Sequence, residues 1–172
     1  MLNKIKEKLI GYGVTVAASI AAVVIVIESE GLELKPYLDP KRIKTVCYGH
    51  TGNVKDKIHS KDECLALLSV DLVEAEQILR LNSGLTYDKM NNNQKAAFIS
   101  FIYNVGYGGK GVKDGFVYLK NGNHSTMYKK INAGDIEGAC YEIPKWCKDC
   151  KELRGLKIRR AKEFGLCVNK DN

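Results

Sequence analysis

From Leu9 to Ile27 the chain carries nineteen consecutive residues without a charge, and Lys4, Lys6 and Lys8 stand in front of them. A bilayer needs about 20 apolar residues per helical crossing, so this run just suffices. Basic residues ahead of a span keep the N-terminus cytoplasmic and send the rest of the chain outward. A folded body must then be built from about residue 29 onward. The run is nevertheless diluted by Gly11, Gly13, Thr15, Ala17, Ala18, Ser19, Ala21 and Ala22, and a bilayer holds such a segment only marginally. Three readings follow. A cleaved signal peptide is opposed by the bulky ending Val23-Val24-Ile25-Val26-Ile27, although the small residues from Ala17 to Ala21 leave cleavage inside the run open. A permanent anchor is the second. The third, which the small residues favour, is a reversible anchor that leaves the bilayer and packs as a helix on the soluble body. The expected division is an anchor over 1–28 and a catalytic domain over 29–172.

The remainder reads as a small ribbon followed by short helices, an α+β domain that is mostly helical. Residues 37–50 are rich in Tyr, Ile, Val and Thr around Asp39-Pro40-Lys41, a strand–turn–strand pattern. Ser60 with Glu63 and Asn91 with Gln94 are spaced as capping boxes. The first opens a helix with Leu65, Leu68, Leu72, Ala75 and Leu79 on one face. The second opens Ala96–Ile102, apolar on most faces, with Gly106 as its stop. Helical patches are expected over 125–132 and 135–141. A last helix is expected over 151–164, with Leu153, Leu156, Ala161 and Phe164 inward and Gly165 as its end. Its Arg154–Arg160 cluster reads as a solvated face.

Six cysteines follow the apolar run. An even count behind an exported N-terminus suggests disulfides. Six cysteines allow about 15 pairings, and proximity favours Cys47–Cys64, Cys140–Cys167 and Cys147–Cys150. With 27 basic against 20 acidic residues the net charge is +7, which suits an anionic partner. Zinc-finger spacing and a base-reading basic helix are both absent from the sequence, so nucleic acid is not expected, and an acidic wall polymer fits better. His59 and His124 are isolated, so no metal site or cofactor is expected.

The chemistry sits just after the apolar run. Glu30 and Asp39 are nine residues apart and Thr45 follows six later. Two carboxylates that face each other across a cleft are the machinery of glycoside hydrolysis. One serves as a protonated general acid, held so by burial or a low-dielectric wall. The other stays ionised and handles the attacking water.

The pattern Glu30-Gly31, Tyr37, Asp39, Thr45, Gly49-His50 resembles the phage-type, T4-like lysozymes. Lys61-Asp62-Glu63, Asp71, Tyr103-Asn104-Val105-Gly106, Trp146, Gly155-Leu156, Arg159-Arg160 and Cys167 extend the resemblance over nearly the whole chain from residue 28. The N-terminus is similar to that of the signal-anchor-release endolysins. The resemblance implies a two-lobed lysozyme-like fold with a small ribbon lobe and a helical lobe. It implies a muramidase acting on peptidoglycan with inversion, with Glu30 as acid, Asp39 as base and Thr45 as water holder. His50 would pair with Asp71, and Tyr48, Asn104 and Tyr107 would line the sugar groove. It also implies a monomer, exported and tethered to the inner membrane through residues 9–27, working alongside a holin or pinholin, and released into the periplasm. Cys47 stands where the pattern often has Gly, and Cys147 with Cys150 is an extra pair. No cysteine precedes Cys47, so activation by a thiol switch in the anchor is not implied. A lytic transglycosylase using Glu30 alone and an inactive wall-binding module are the alternatives.

Overall fold

The computed structural model describes residues 16–39, 42–147 and 154–169. The first half of the apolar run, the turn residues Pro40 and Lys41, Cys150 and Leu153 lie outside them. Helix α1, Val16–Glu30, carries the second half of the run. Its Ala18, Ser19, Ala22, Val23 and Val26 are buried, and it packs on α4, Asn92–Val105, and α7, Arg154–Val168. Small side chains on this face let the helix backbones approach closely. Among the described residues, no helix is long and apolar enough to cross a membrane.

Strands β1, Glu33–Leu38, and β2, Lys44–Cys47, pair antiparallel with Tyr37 opposite Thr45 and Leu38 opposite Lys44. The ribbon starts earlier than the sequence suggested. Pro36 falls within the irregular stretch of register between Glu33 and Tyr37, where its missing N–H costs little.

Helix α2, Lys61–Ser83, touches both the ribbon and the helical lobe. Ser60 caps it reciprocally with Glu63, and Leu65, Leu68, Leu72, Ala75 and Leu79 are all buried, as their spacing predicted. After the short α3, Thr86–Lys89, the Asn91–Gln94 box opens α4, whose Ala96–Ile102 are buried throughout. Ser125 caps α5, Thr126–Asn132, and Asp135 caps α6, Ile136–Cys140. A 3-10 turn, Ile143–Cys147, brings Trp146 edge-on to Phe101, ring centroids 5.2 Å apart. Cys47–Cys64 joins the ribbon to α2, and Cys140–Cys167 joins α6 to α7. Cys147 is disulfide-bonded too; the expected bridge to Cys150 lies outside the described residues.

Helix α7 departs from expectation in length and in facing. Gly165 does not end it, because Leu166 and Cys167 continue onto the core through the disulfide. Ala161 is exposed, and the buried residues are Arg159, Arg160, Glu163 and Cys167. The presumed solvated charge cluster thus supplies two of the most deeply buried side chains in the protein.

Candidate active site

Glu30 is the last residue of α1, a position where the partial negative charge of a helix C-terminus disfavours a further carboxylate. Arg159 offsets this. Its guanidinium donates to Glu30 Oε1, to the Ser100 carbonyl at 2.8 Å and to Glu163 Oε1 at 3.0 Å. Arg160 bonds Glu163 Oε2 and Asn104 Oδ1. Glu163 is fully buried and Arg159 and Arg160 are each 2% exposed. Buried ions are tolerated only when paired and hydrogen-bonded; every ion of this cluster is paired, with Glu30 as the outermost member, while Arg160 Nε is buried without a hydrogen-bond partner. The burial or low-dielectric wall expected behind Glu30 is not what stands there: the Arg159 guanidinium, a cation, takes that place, and the Glu30 side chain keeps 28% of its surface exposed.

The far side of Glu30 is open. Gly49 adopts a φ of +98°, and a Cβ built there would lie 3.6 Å from Glu30 Oε2 and 3.7 Å from the Tyr103 hydroxyl. A Cβ would thus fit at ordinary contact distance, and it is the left-handed backbone that calls for glycine here. Tyr103 donates to the Tyr48 carbonyl at 2.6 Å, tying α4 to the end of β2. Burial, then the Asp71 and Glu30 charges, push the Tyr103 phenol up.

Asp39 follows β1. Its carboxylate accepts from the Ile43 amide at 2.7 Å, which closes the ribbon turn. Burial and then the nearby charges of Glu30, Glu33 and Asp39 raise the Tyr37 phenol. Thr45 is buried and its hydroxyl donates to the Ile43 carbonyl at 3.0 Å, leaving its lone pairs as acceptors.

His50 Nδ1 meets both Asp71 oxygens at 2.9 and 3.0 Å, joining the ribbon to α2. Burial pushes the Asp71 carboxyl up more than His50 pulls it down. Beside this pair lies a cavity of about 270 Å³, lined by Gly49, Thr51, Asp71, Glu74, Tyr103 and Lys113 among others. Of the expected groove residues, the Tyr48 side chain is buried in the core, Asn104 holds Arg160, and Tyr107 is exposed with its ring against Tyr118. Among the described residues, no group of three or more His, Cys, Asp or Glu side chains is placed to hold a metal.

Sequence reasoning named Arg159 and Arg160 only as part of a motif and missed their role. A signal existed. Arg159, Glu163 and Cys167 are spaced i, i+4, i+8 and so share one helical face, and a cysteine expected to bridge to Cys140 turns that face inward.

The chain matches the phage lysozyme family over residues 27–163. It is 37% identical over 142 residues to the SAR-endolysin of Bacteriophage PS119, covering 81% of this chain and 76% of that protein. It is 35% identical over 142 residues to the SAR-endolysin of Enterobacteria phage P21, with 81% and 77% covered. The active form of the P1 phage endolysin Lyz superposes with a TM-score of 0.73 at 23% identity, over 98% of this chain and 93% of that one.

Proposed function

The chain belongs to the phage lysozyme family and is a glycoside hydrolase of the lysozyme type, and from this we propose that it is an endolysin muramidase. The bond it cuts is the β-1,4 link from N-acetylmuramic acid to N-acetylglucosamine in peptidoglycan. Glu30 donates a proton to the glycosidic oxygen as the bond breaks. Arg159 takes Oε1, so Oε2, on the Gly49 side, is the oxygen suited to carry that proton. Asp39 accepts a proton from water as its oxygen attacks the opposite face of the sugar, and Thr45 orients that water. The charge developing on the ring is stabilised by the Asp39 carboxylate. Water on the opposite face gives inversion, which requires the carboxylates to stand roughly 6.5–9.5 Å apart. The observation that carries this reading is the family match over residues 27–163, together with Glu30 held through one oxygen by Arg159 and facing Gly49 with the other. A wall-binding module needs no such pair of acids.

Residues 9–27 act as a reversible anchor in this proposal. Inserted in the inner membrane, they export the body to the periplasm and pin Glu30 at the bilayer surface, away from Asp39 and Arg159. Once released, the segment becomes a helix of the soluble enzyme, and the site is complete. The names of the SAR-endolysin relatives support this, as does the small-residue face of α1 against α4 and α7. A holin or pinholin that disrupts the membrane is the functional partner, and the released enzyme works as a monomer.

Clearing of a peptidoglycan suspension by the purified protein tests the assignment. Glu30→Gln keeps shape and an acceptor for Arg159 but removes the proton, and clearing should fall to background. Unchanged clearing removes Glu30 from its role.

A further inference from the structure

Between Val16 and Ile27, Ser19 is the sole residue with a hydrogen-bonding side chain. It is buried in the docked α1 and donates to Glu76 Oε2 of α2 at 3.3 Å. Tyr87 of α3 donates to the other Glu76 oxygen at 2.5 Å. The Tyr87 ring is held in turn, with the Lys95 ammonium 4.5 Å and the Arg80 guanidinium 5.7 Å from its centroid. Glu76 is thus a buried carboxylate seated by α2, α3 and α4, and the hydrolytic chemistry leaves it unused.

Eleven residues make three helical turns to within about 20°. Ser19 and Glu30 therefore lie on one line of α1, about 16 Å apart along its axis. The apolar side chains between them define the register weakly. A slide of three residues puts Ala21 in the seat of Ala18 and Val26 in that of Val23, like for like, though Ile25 would crowd the seat of Ala22. The Glu28–Lys162 pair is exposed on both sides, and such pairs contribute little. At the seat of Ser19 the same slide brings Ala22, which has no proton to donate to Glu76. It also carries Glu30 about 4.5 Å along the axis, away from Arg159 and Gly49.

We propose that Ser19 is a positioning residue for hydrolysis: its bond to Glu76 selects the register in which α1 docks, and so delivers Glu30 to Arg159 and Gly49. The inference rests on reading Glu30 as the acid and residues 9–27 as a reversible anchor, and deepens that reading. A buried carboxylate deprived of a donor is costly. A slipped helix is therefore penalised at Glu76, three turns from the end at which it loses Glu30.

The test measures release of reducing ends from peptidoglycan by the purified soluble full chain, well below its Tm, with kcat and KM taken separately. Losing one hydrogen bond to a carboxylate shifts the balance between the two registers by about tenfold or more. Ser19→Ala, an easy change for a helix, should lower kcat by about three- to tenfold with KM held, because the slipped fraction is inactive and the remainder binds the wall as before. Ser19→Thr keeps the hydroxyl and should recover most of the loss. A double-mutant cycle with Arg159→Met identifies the route. Sites this far apart ordinarily add, but if Ser19 acts by bringing Glu30 to Arg159, Ser19→Ala should cost less than about twofold once Arg159 is gone. A Ser19→Ala protein with the parent's kcat overturns the inference, whatever its Tm. So do losses that multiply in full in the double variant, the mark of a packing role. Both results leave the muramidase reading standing, whereas a wild-type protein that releases no reducing ends overturns that reading and this inference with it.

Discussion

Arg159 on the last helix donates to Glu30 at the end of the first, and the same guanidinium reaches Ser100 and the buried Glu163. Glu30, the proposed proton donor, is thus positioned by the helical core and not by the ribbon it precedes in sequence. Replacing Arg159 by Met removes the clamp and strips Glu163 of one of its two cations. Breaking a buried pair costs about 3–5 kcal/mol. The bond to Glu30 alone corresponds to about 10–100-fold in rate if its strength is near 1.5–3 kcal/mol. Arg159→Met should therefore lower Tm and reduce clearing by at least tenfold when assayed well below its Tm, with Arg159→Lys in between. Full activity in the Met variant would contradict the positioning role.

The Asp71–His50 contact carries a pH dependence opposite in sign to that of a simple ion pair. Burial raises the Asp71 carboxyl above its unfolded value, which is about 3.9. A group raised in the folded state gives stability that is full below the unfolded pKa and is lost as pH rises through the folded one. Asp71→Asn cannot titrate. The stability difference between wild type and Asp71→Asn should therefore shrink as pH rises from about 3 to 6, below most of the histidine range. Urea unfolding at stepped pH measures it, and a difference that grows with pH would mean that pairing outweighs burial.

Much of the helical lobe was legible because its signals are local. The two capping boxes mark the starts of α2 and α4, and the Leu65–Leu79 spacing gives the buried face of α2. The site was legible in part. Glu30, Asp39 and Thr45 stand out by spacing. The cation that holds Glu30 lies 129 residues away on a helix whose apolar residues suggested the other face inward. Its buried face is charged because Glu163 and Glu30 neutralise Arg159 and Arg160, a compensation between distant segments that no local periodicity contains. The early start of the ribbon was hidden for a different reason: an irregular register tolerates Pro36 where a regular ladder would not.

The Cys140–Cys167 bridge fixes the same helix face one turn beyond Glu163. Closing a loop of 27 residues is worth about 3.5 kcal/mol in the chain-entropy account. Replacing both cysteines by Ala should lower Tm by about 6–12 °C, read by thermal unfolding, and clearing should fall before the global transition as Arg159 loses its support. Activity that tracks the global transition alone would uncouple the bridge from the site.

Anchor release makes a prediction in cells. Leu at positions 11 and 13 in place of Gly makes the run a better membrane span. Cells expressing the Gly11→Leu, Gly13→Leu variant should lyse later than with the parent, with more of the enzyme in the membrane fraction. Equal lysis times would show that membrane confinement is not the control.

The chemistry of the new chain ends tests the central claim most directly. Purified peptidoglycan digested by the wild-type protein should yield muramic acid at reducing ends, each product heavier by one water than its anhydro counterpart in the mass spectrum. Glu30→Gln and Asp39→Asn should each abolish those products, because the account assigns one acid to the leaving oxygen and the other to the attacking water. Anhydro ends, formed as well by Asp39→Asn as by the parent, would contradict it.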